Sequence, residues 1–363
     1  MILAVLAFAV AVGFCPAFLE AAGTPRWIIM ALIVPWLVLT RTWTVQPAHR
    51  VGAAFIVWTA IVALWSYGWT ETVLRVVDLA LLAGVFCVAS AERSIRPAVL
   101  AFCAGVAISG ALAVPQALGW TGILQATGPA GLFMNKNYLA EAGVMALVAA
   151  LVYRADWLVP GCLLAALVPQ SRGAVLALAI LGVAWLWRRS RTAAVAVALA
   201  GAGYLAWQFQ GSDIMDSSLG SRVSLWLNAL AMAWEHPLGA GSFWAAYPAF
   251  HDAWWPTAES AYRIDMRPQN AHNDALTILA ENGIVGLALA GYFIALVFRN
   301  FERERWIVLS FLALGLVNFP FYNPATGFLA ALVAGWLCRD HFAVCLGRDH
   351  GRVALYPRDQ AQR

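Results

Sequence analysis

The chain reads as an all-α protein, a polytopic transmembrane helical bundle of about 12 spans with one large outer loop that contains short amphipathic helices. Three observations predict this. Hydrophobic residues make up 62% of the 363 residues and charged residues only 12%, a balance foreign to soluble globular chains. The apolar stretches run for about 14 to 22 residues, close to the length that crosses ~30 Å of hydrocarbon. The basic residues also divide unevenly between alternate loops, as they do when they set topology.

The expected spans are 2–19, 27–40, 51–67, 72–90, 98–118, 138–153, 157–169, 173–187, 192–209, 283–298, 306–321 and 325–338. This gives spans one to nine in residues 1–210, a large loop at 211–282, spans ten to twelve in 283–338 and a cytoplasmic tail at 339–363. The first stretch is read as a retained span, since it lacks a basic leading region and its apolar run passes any cleavage point. With the N-terminus cytoplasmic, 16 of the 23 basic residues fall on inner loops and the tail. Arg41, Arg93, Arg154, Arg188, Arg189, Arg303 and Arg339 are among them. Arg26, Arg75, Lys136, Arg172, Arg222, Arg263 and Arg267 fall outside. The net charge of +4 is then a topology signal, with no nucleic-acid partner implied.

The inner loops are short and hold neither a P-loop nor a dinucleotide fingerprint, so an ATP-driven motor within the chain is not expected. The sequence has no metal-ligand spacing of His, Cys or carboxylates, and the Asp213–Asp216 pair is too sparse for a cation site. No cofactor and no metal are expected. The six cysteines lie in or beside spans without C-x-x-C spacing and read as small packing residues.

Within the large loop, 221–234 has helical periodicity, with Val223, Trp226, Leu227, Leu230 and Trp234 on one apolar face. That face suits a helix lying on the membrane surface. Pro237-Leu238-Gly239-Ala240-Gly241 ends it. A second helix is expected from an Asn273 cap to a stop at Gly283. Between the two, Trp244, Tyr247, Trp254, Trp255 and Tyr262 suit an interfacial belt.

Ionisable groups in a membrane protein are costly, and here they gather at one face. Arg75 and Asp78 share a helix face at i,i+3 and can pair. Lys136 and Glu141 flank the outer end of the sixth span, beside Asn135 and Asn137. Ser171-Arg172-Gly173 opens the eighth span, and Asn318 and Asn323 bracket the last outer turn. Arg172 and Arg222 suit a phosphate or pyrophosphate. His272, just before a helix start, suits a general base. Plainer roles also exist: snorkelling anchors for Arg172 and Lys136, a solvated face for Arg222, a loop histidine for His272, a bundle ion pair for Arg75 with Asp78. A transporter would instead place such groups at mid-membrane on interrupted helices in matching halves. An enzyme acting on a lipid-linked substrate at the outer boundary fits better.

The ordered series Gly131-Leu132-Phe133-Met134-Asn135-Lys136-Asn137, Ser171-Arg172-Gly173-Ala174, Ser221-Arg222-x-x-x-Trp226, Pro237-Leu238-Gly239-x-Gly241, Ala271-His272-Asn273-x-x-Leu276 and Glu281-Asn282-Gly283-x-x-Gly286 resembles the O-antigen ligase and O-antigen polymerase superfamily of bacterial surface-polysaccharide enzymes. The resemblance covers about residues 131–298. It implies an inverting, metal-independent glycosyltransferase at the periplasmic face of the inner membrane. The implied donor is an undecaprenyl-diphosphate-linked glycan. The acceptor would be lipid A-core for a ligase, or another lipid-linked glycan for a polymerase. Chain-length or flippase proteins are the implied partners. By position, Arg172 and Arg222 match the family's donor-pyrophosphate arginines, and His272 its acceptor-activating histidine. Arg75, Lys136, Asn135 and Asn137 are further substrate-binding candidates. The competing expectations are a polysaccharide flippase or other transporter, and a non-catalytic envelope scaffold.

Overall fold

A computed structural model describes residues 1–16, 22–123, 125–208, 218–250, 268, 270–299 and 302–339. The expectations for Asp213, Asp216, Trp254, Trp255, Tyr262, Arg263, Arg267 and the tail beyond Arg339 lie outside the described residues. The described residues are helical and contain no strand, only an isolated bridge between Thr127 and Asn135.

The helices are α1 (Ile2–Val12), α2 (Gly23–Thr40), α3 (Pro47–Val62), α4 (Trp69–Ser90), α5 (Arg96–Ala117), α6 (Lys136–Val152) and α7 (Val159–Leu167). They continue with α8 (Arg172–Arg189), α9 (Arg191–Gln208), α10 (Ser218–Glu235), α11 (Phe243–Phe250), α12 (Asp274–Val297), α13 (Arg305–Gly315) and α14 (Pro324–Leu337). Among the described residues, five segments are long and apolar enough to cross a membrane: Gly23–Thr40, Pro47–Trp65, Trp69–Ser90, Arg96–Ala117 and Asp274–Val297. Shorter apolar helices accompany them at Ile2–Val12, Asp156–Leu167, Arg305–Gly315 and Pro324–Leu337. The chain is thus an all-helical, multi-pass membrane protein.

Each expected span contains a helix, but two readings change. The first helix stops at Val12, short of the expected 19. The helix expected to run to 321 stops at Gly315, which frees Leu316–Asn323 as a turn segment. On α10 the buried face is Leu225, Asn228, Ala229 and Met232, whereas Leu230 and Trp234 point outward, Trp234 at 88% exposure. Its apolar residues therefore occupy two faces. Leu230 and Trp234, on the face expected along the membrane surface, are the ones the protein leaves open.

α6 is the central element, buried along nearly its whole length and packed by α5, α7, α8, α13 and α14. Its Ala- and Gly-rich sequence allows that close approach; Gly143 faces the Ala165–Ala166 backbone. Two ends of the bundle differ in chemistry. At one end Arg41 pairs with Glu92 at 3.1 Å, Arg339 with Glu302 at 3.5 Å, and Arg188 and Arg303 lie over Trp306 and Tyr153. At the other end α6, α8, α12 and α14 all begin.

Candidate functional site

Four helix N-termini meet on the Leu316–Asn323 segment. Each start is set by a side chain or residue suited to it. Asn135 caps α6 by accepting from Asn137 N, Asn273 caps α12 by accepting from Leu276 N, and Asn323 caps α14 by accepting from Ala325 N. Ser171 precedes α8, and Pro324 takes the first position of α14, where no N–H is needed.

The segment is tied to every one of these starts. Asn323 Nδ2 donates to Tyr138 O of α6 at 3.1 Å and to Glu141 Oε2 at 3.3 Å. Asn273 Nδ2 donates to Leu316 O at 3.0 Å, and Asp274 Oδ2 accepts from Phe321 N at 3.2 Å. The backbone of Gly173, in the first turn of α8, lies against Val317 O and Asn318. Among the described residues, four without a glycine's freedom take positive φ, and three of them immediately precede these caps: Met134, Gln170 and His272, at 61°, 53° and 51°. Such conformations cost about 1 kcal/mol or more and persist where surroundings enforce them, often at functional sites. The N-terminal amides and helix dipoles of four helices together favour a negative charge at this end of the bundle.

Arg222 and His272 come together here. Arg222 Nη1 donates to Val317 O at 2.8 Å. The His272 ring packs edge-on against Phe319 at 4.6 Å between centroids, and Phe319 in turn meets Tyr138 of α6. Burial first, and the Arg222 guanidinium second, push the His272 imidazole down to about 4, with the neighbouring Asn318 amide opposing them. Its ring is therefore neutral at pH 7 and carries a basic lone pair. Arg172 is exposed at the first position of α8, one residue from the glycine that contacts Asn318. Asn135, Lys136 and Asn137 form the first turn of α6. The Lys136 backbone N–H is held by Thr127, and the Asn135–Asn137 contact is the cap itself.

Arg75 lies apart from His272. It pairs with Asp78 at 4.0 Å, donates to Phe321 O at 3.2 Å and stacks over the Phe321 and Tyr322 rings at 4.3 and 4.1 Å. It lines a cavity of about 330 Å³ with Glu71, Asp78, Ser242, Trp244 and Tyr322. Neither His272 nor Arg222 borders that cavity. Its carboxylates disfavour a pyrophosphate and suit sugar hydroxyls. The chemistry of charge and base is stronger at the His272 cluster, and the cavity adjoins it across Phe321 and Tyr322.

The Pro237–Gly241 and Glu281–Gly283 motifs dock on each other and line the cavity. Ala240 N and Gly241 N donate to Ala280 O and Glu281 O, Ile284 N donates to Pro237 O, and Trp58 Nε1 donates to Asn282 O. Glu281 Oε1 accepts from Phe243 N, and Tyr322 donates its hydroxyl to Oε2. Asn318 and Asn323 stood out in the sequence; Phe319 lay inside an expected span, Asp274 and Glu281 inside a helix pattern, and Tyr322 in the last outer turn, with no signal that marked them as site residues.

The family model described as O-antigen ligase matches residues 157–291. This stretch is similar to the O-antigen ligase superfamily. The O-antigen ligase match includes Arg172, Arg222 and His272 and runs from the turn before α7 into α12. It leaves outside Arg75, Asn135, Lys136, Asn137 and the Leu316–Asn323 segment, which geometry alone connects to it. No curated protein matches the chain. The match supports a membrane enzyme of the O-antigen ligase or polymerase type.

Proposed function

We propose that the chain is an inverting, metal-independent glycosyltransferase of about 12 spans. In this reading it works at the periplasmic face of the inner membrane, with 211–282 as its large periplasmic loop, and transfers or polymerises an undecaprenyl-diphosphate-linked glycan. The carrying observation is the meeting of Arg222, neutral His272 and four helix N-termini on one turn segment.

The step follows from that placement. His272 takes the proton of the acceptor hydroxyl as its oxygen attacks the anomeric carbon from the side opposite the diphosphate. The anomeric C–O bond to the diphosphate breaks, its electron pair leaves with the diphosphate, and the configuration inverts. Arg222, Arg172, Lys136 and the helix N-termini stabilise the charge that grows on the leaving group. Asn135 and Asn137 contribute through the α6 first turn. Arg75 holds sugar hydroxyls of the donor in the adjoining cavity. Membrane lipids surround the bundle, and chain-length or flippase proteins are its natural partners.

The test is a gel of surface polysaccharide from a deletion strain rescued with wild type or His272→Ala. Loss of all long glycan from lipid A-core, with lipid-linked polymer accumulating, marks a ligase. A single repeat retained on the core without a ladder marks a polymerase. Full rescue by His272→Ala at normal membrane levels would reject the proposed base and favour a transporter or scaffold.

A further inference from the structure

Three side chains around the His272 ring carry buried polar atoms that make no hydrogen bond: His272 Nδ1, both amide atoms of Asn318, and Glu141 Oε1. Asn318 and Glu141 are fully buried, at 0% exposure. Leaving such an atom unmatched costs about 1–3 kcal/mol, so a cluster of four is a heavy and unusual load.

The three residues are neighbours. Asn318 stands beside His272 on one side and Glu141 on the other. The backbone at Asn318 is held by Arg222 on Val317 O and by its own N–H on Leu314 O, and the Phe319 ring packs against His272. The other Glu141 oxygen is already held by Asn323.

The unmatched atoms are also complementary. An imidazole that accepts a proton at Nε2 carries its hydrogen on Nδ1 and needs an acceptor there. Asn318 offers an acceptor, Oδ1, and a donor, Nδ2. Glu141 Oε1 is an acceptor. The geometry points to Asn318 as the positioning residue of His272, with Nδ1–H donating to Asn318 Oδ1 and Asn318 Nδ2 donating to Glu141 Oε1. The inference rests on His272 as the base.

In this arrangement Asn318 fixes the tautomer that presents the Nε2 lone pair, and its carbonyl dipole stabilises the imidazolium formed as the acceptor hydroxyl loses its proton. Glu141 orients the amide so that oxygen, not nitrogen, meets the ring. An aspartate in place of Asn318 would do more than orient. Its carboxylate would raise the imidazole's affinity for protons against Arg222, the nearest cation, while Asp274 and Glu141 stay on their present partners. The base would then be blocked by protonation at a higher pH.

The experiment measures transfer in proteoliposomes across pH, using lipid-linked glycan extracted from cells lacking the chain. His272→Ala, Asn318→Ala, Asn318→Asp, Glu141→Gln and Glu141→Leu are compared with wild type. Asn318→Ala should lose about 10- to 100-fold in kcat with KM nearly unchanged, as expected when a base loses its orientation. Asn318→Asp should move the acidic limb of the profile upward by about one unit or more. Glu141→Gln, which still presents an acceptor to Asn318, should stay close to wild type, and Glu141→Leu should resemble Asn318→Ala. An unmoved limb in Asn318→Asp together with a wild-type rate in Asn318→Ala would overturn the inference. Should Asn318→Asp not fold, equal activity of Glu141→Leu and wild type would overturn it instead. If His272→Ala itself stays active, it is the glycosyltransferase reading that fails; if only that variant is dead, the reading stands and the positioning role is rejected.

Discussion

At pH 7 the imidazole of His272 is neutral because burial and the Arg222 charge both oppose its protonation, holding it at about 4 against an ordinary 6.5. The sign of this shift has a kinetic consequence. A base is lost when it is protonated, so the His272-dependent rate should hold as pH falls from 7 to 5 and decline only toward about 4. Arg222→Gln removes one of the two opposing causes, so its limb should lie above that of wild type, alongside a lower rate from the lost leaving-group charge. A pH–rate series on both proteins checks this; a wild-type limb near 6.5, or an Arg222→Gln limb at lower pH than wild type, would contradict the account. The residue type and its place in the loop were legible in the sequence. The depressed proton affinity was not, because it depends on Arg222 and Asn318, which are 50 and 46 positions away in the chain and meet only through the fold.

Among elements, Pro237–Gly241 docks on Glu281–Gly283 and the pair lines the cavity. The sequence indicated a helix stop at Gly283, and the backbone there takes φ 65° and ψ −167°, a region that only glycine occupies readily. It could not indicate that the stop is a docking point: a Cβ on Gly283 would sit 2.3 Å from Pro237 O, and one on Gly239 2.4 Å from Glu281 O. Both motifs therefore read as turn chemistry in isolation and as one interface in the fold. Gly283→Ala should cost about 2 kcal/mol or more from backbone conformation alone, before the clash is relieved. Thermal unfolding in detergent, followed by tryptophan fluorescence, should show a clearly lowered midpoint; an unchanged midpoint would mean that the interface is not held as described. The last outer turn was legible between Asn318 and Asn323, but its start at Leu316 was not, for a related reason. Its Phe, Pro and Tyr residues extend the apolar pattern of α13, and hydropathy does not register that Asp274 and Arg75 bind its backbone.

At the scale of the whole molecule, the direction of the helices sorts the chemistry. α6, α8, α12 and α14 begin at the site end, where their N-termini favour an anion, and the arginines of Arg41–Glu92, Arg188–Trp306 and Arg339–Glu302 occupy the other end. The charge count alone led to the same division, since even-numbered expected spans start outside and the basic residues crowd the inner loops. If the basic end is cytoplasmic, as the positive-inside rule requires, the His272 cluster faces the periplasm, where a lipid-linked glycan is presented. That orientation is open to a direct measurement that does not depend on catalysis. Trp234 is 88% exposed on α10, beside the site end, and Ser190 is an exposed residue between α8 and α9 at the basic end. Neither substitution removes a topology-setting arginine. In intact spheroplasts a membrane-impermeant maleimide should label Trp234→Cys above the parent protein, and should reach Ser190→Cys only after the membrane is opened. The reverse pattern would place the site in the cytoplasm, where the same base and arginines would meet nucleotide-linked and not undecaprenyl-linked donors, and the proposed reaction would have to be abandoned even if His272 proved essential.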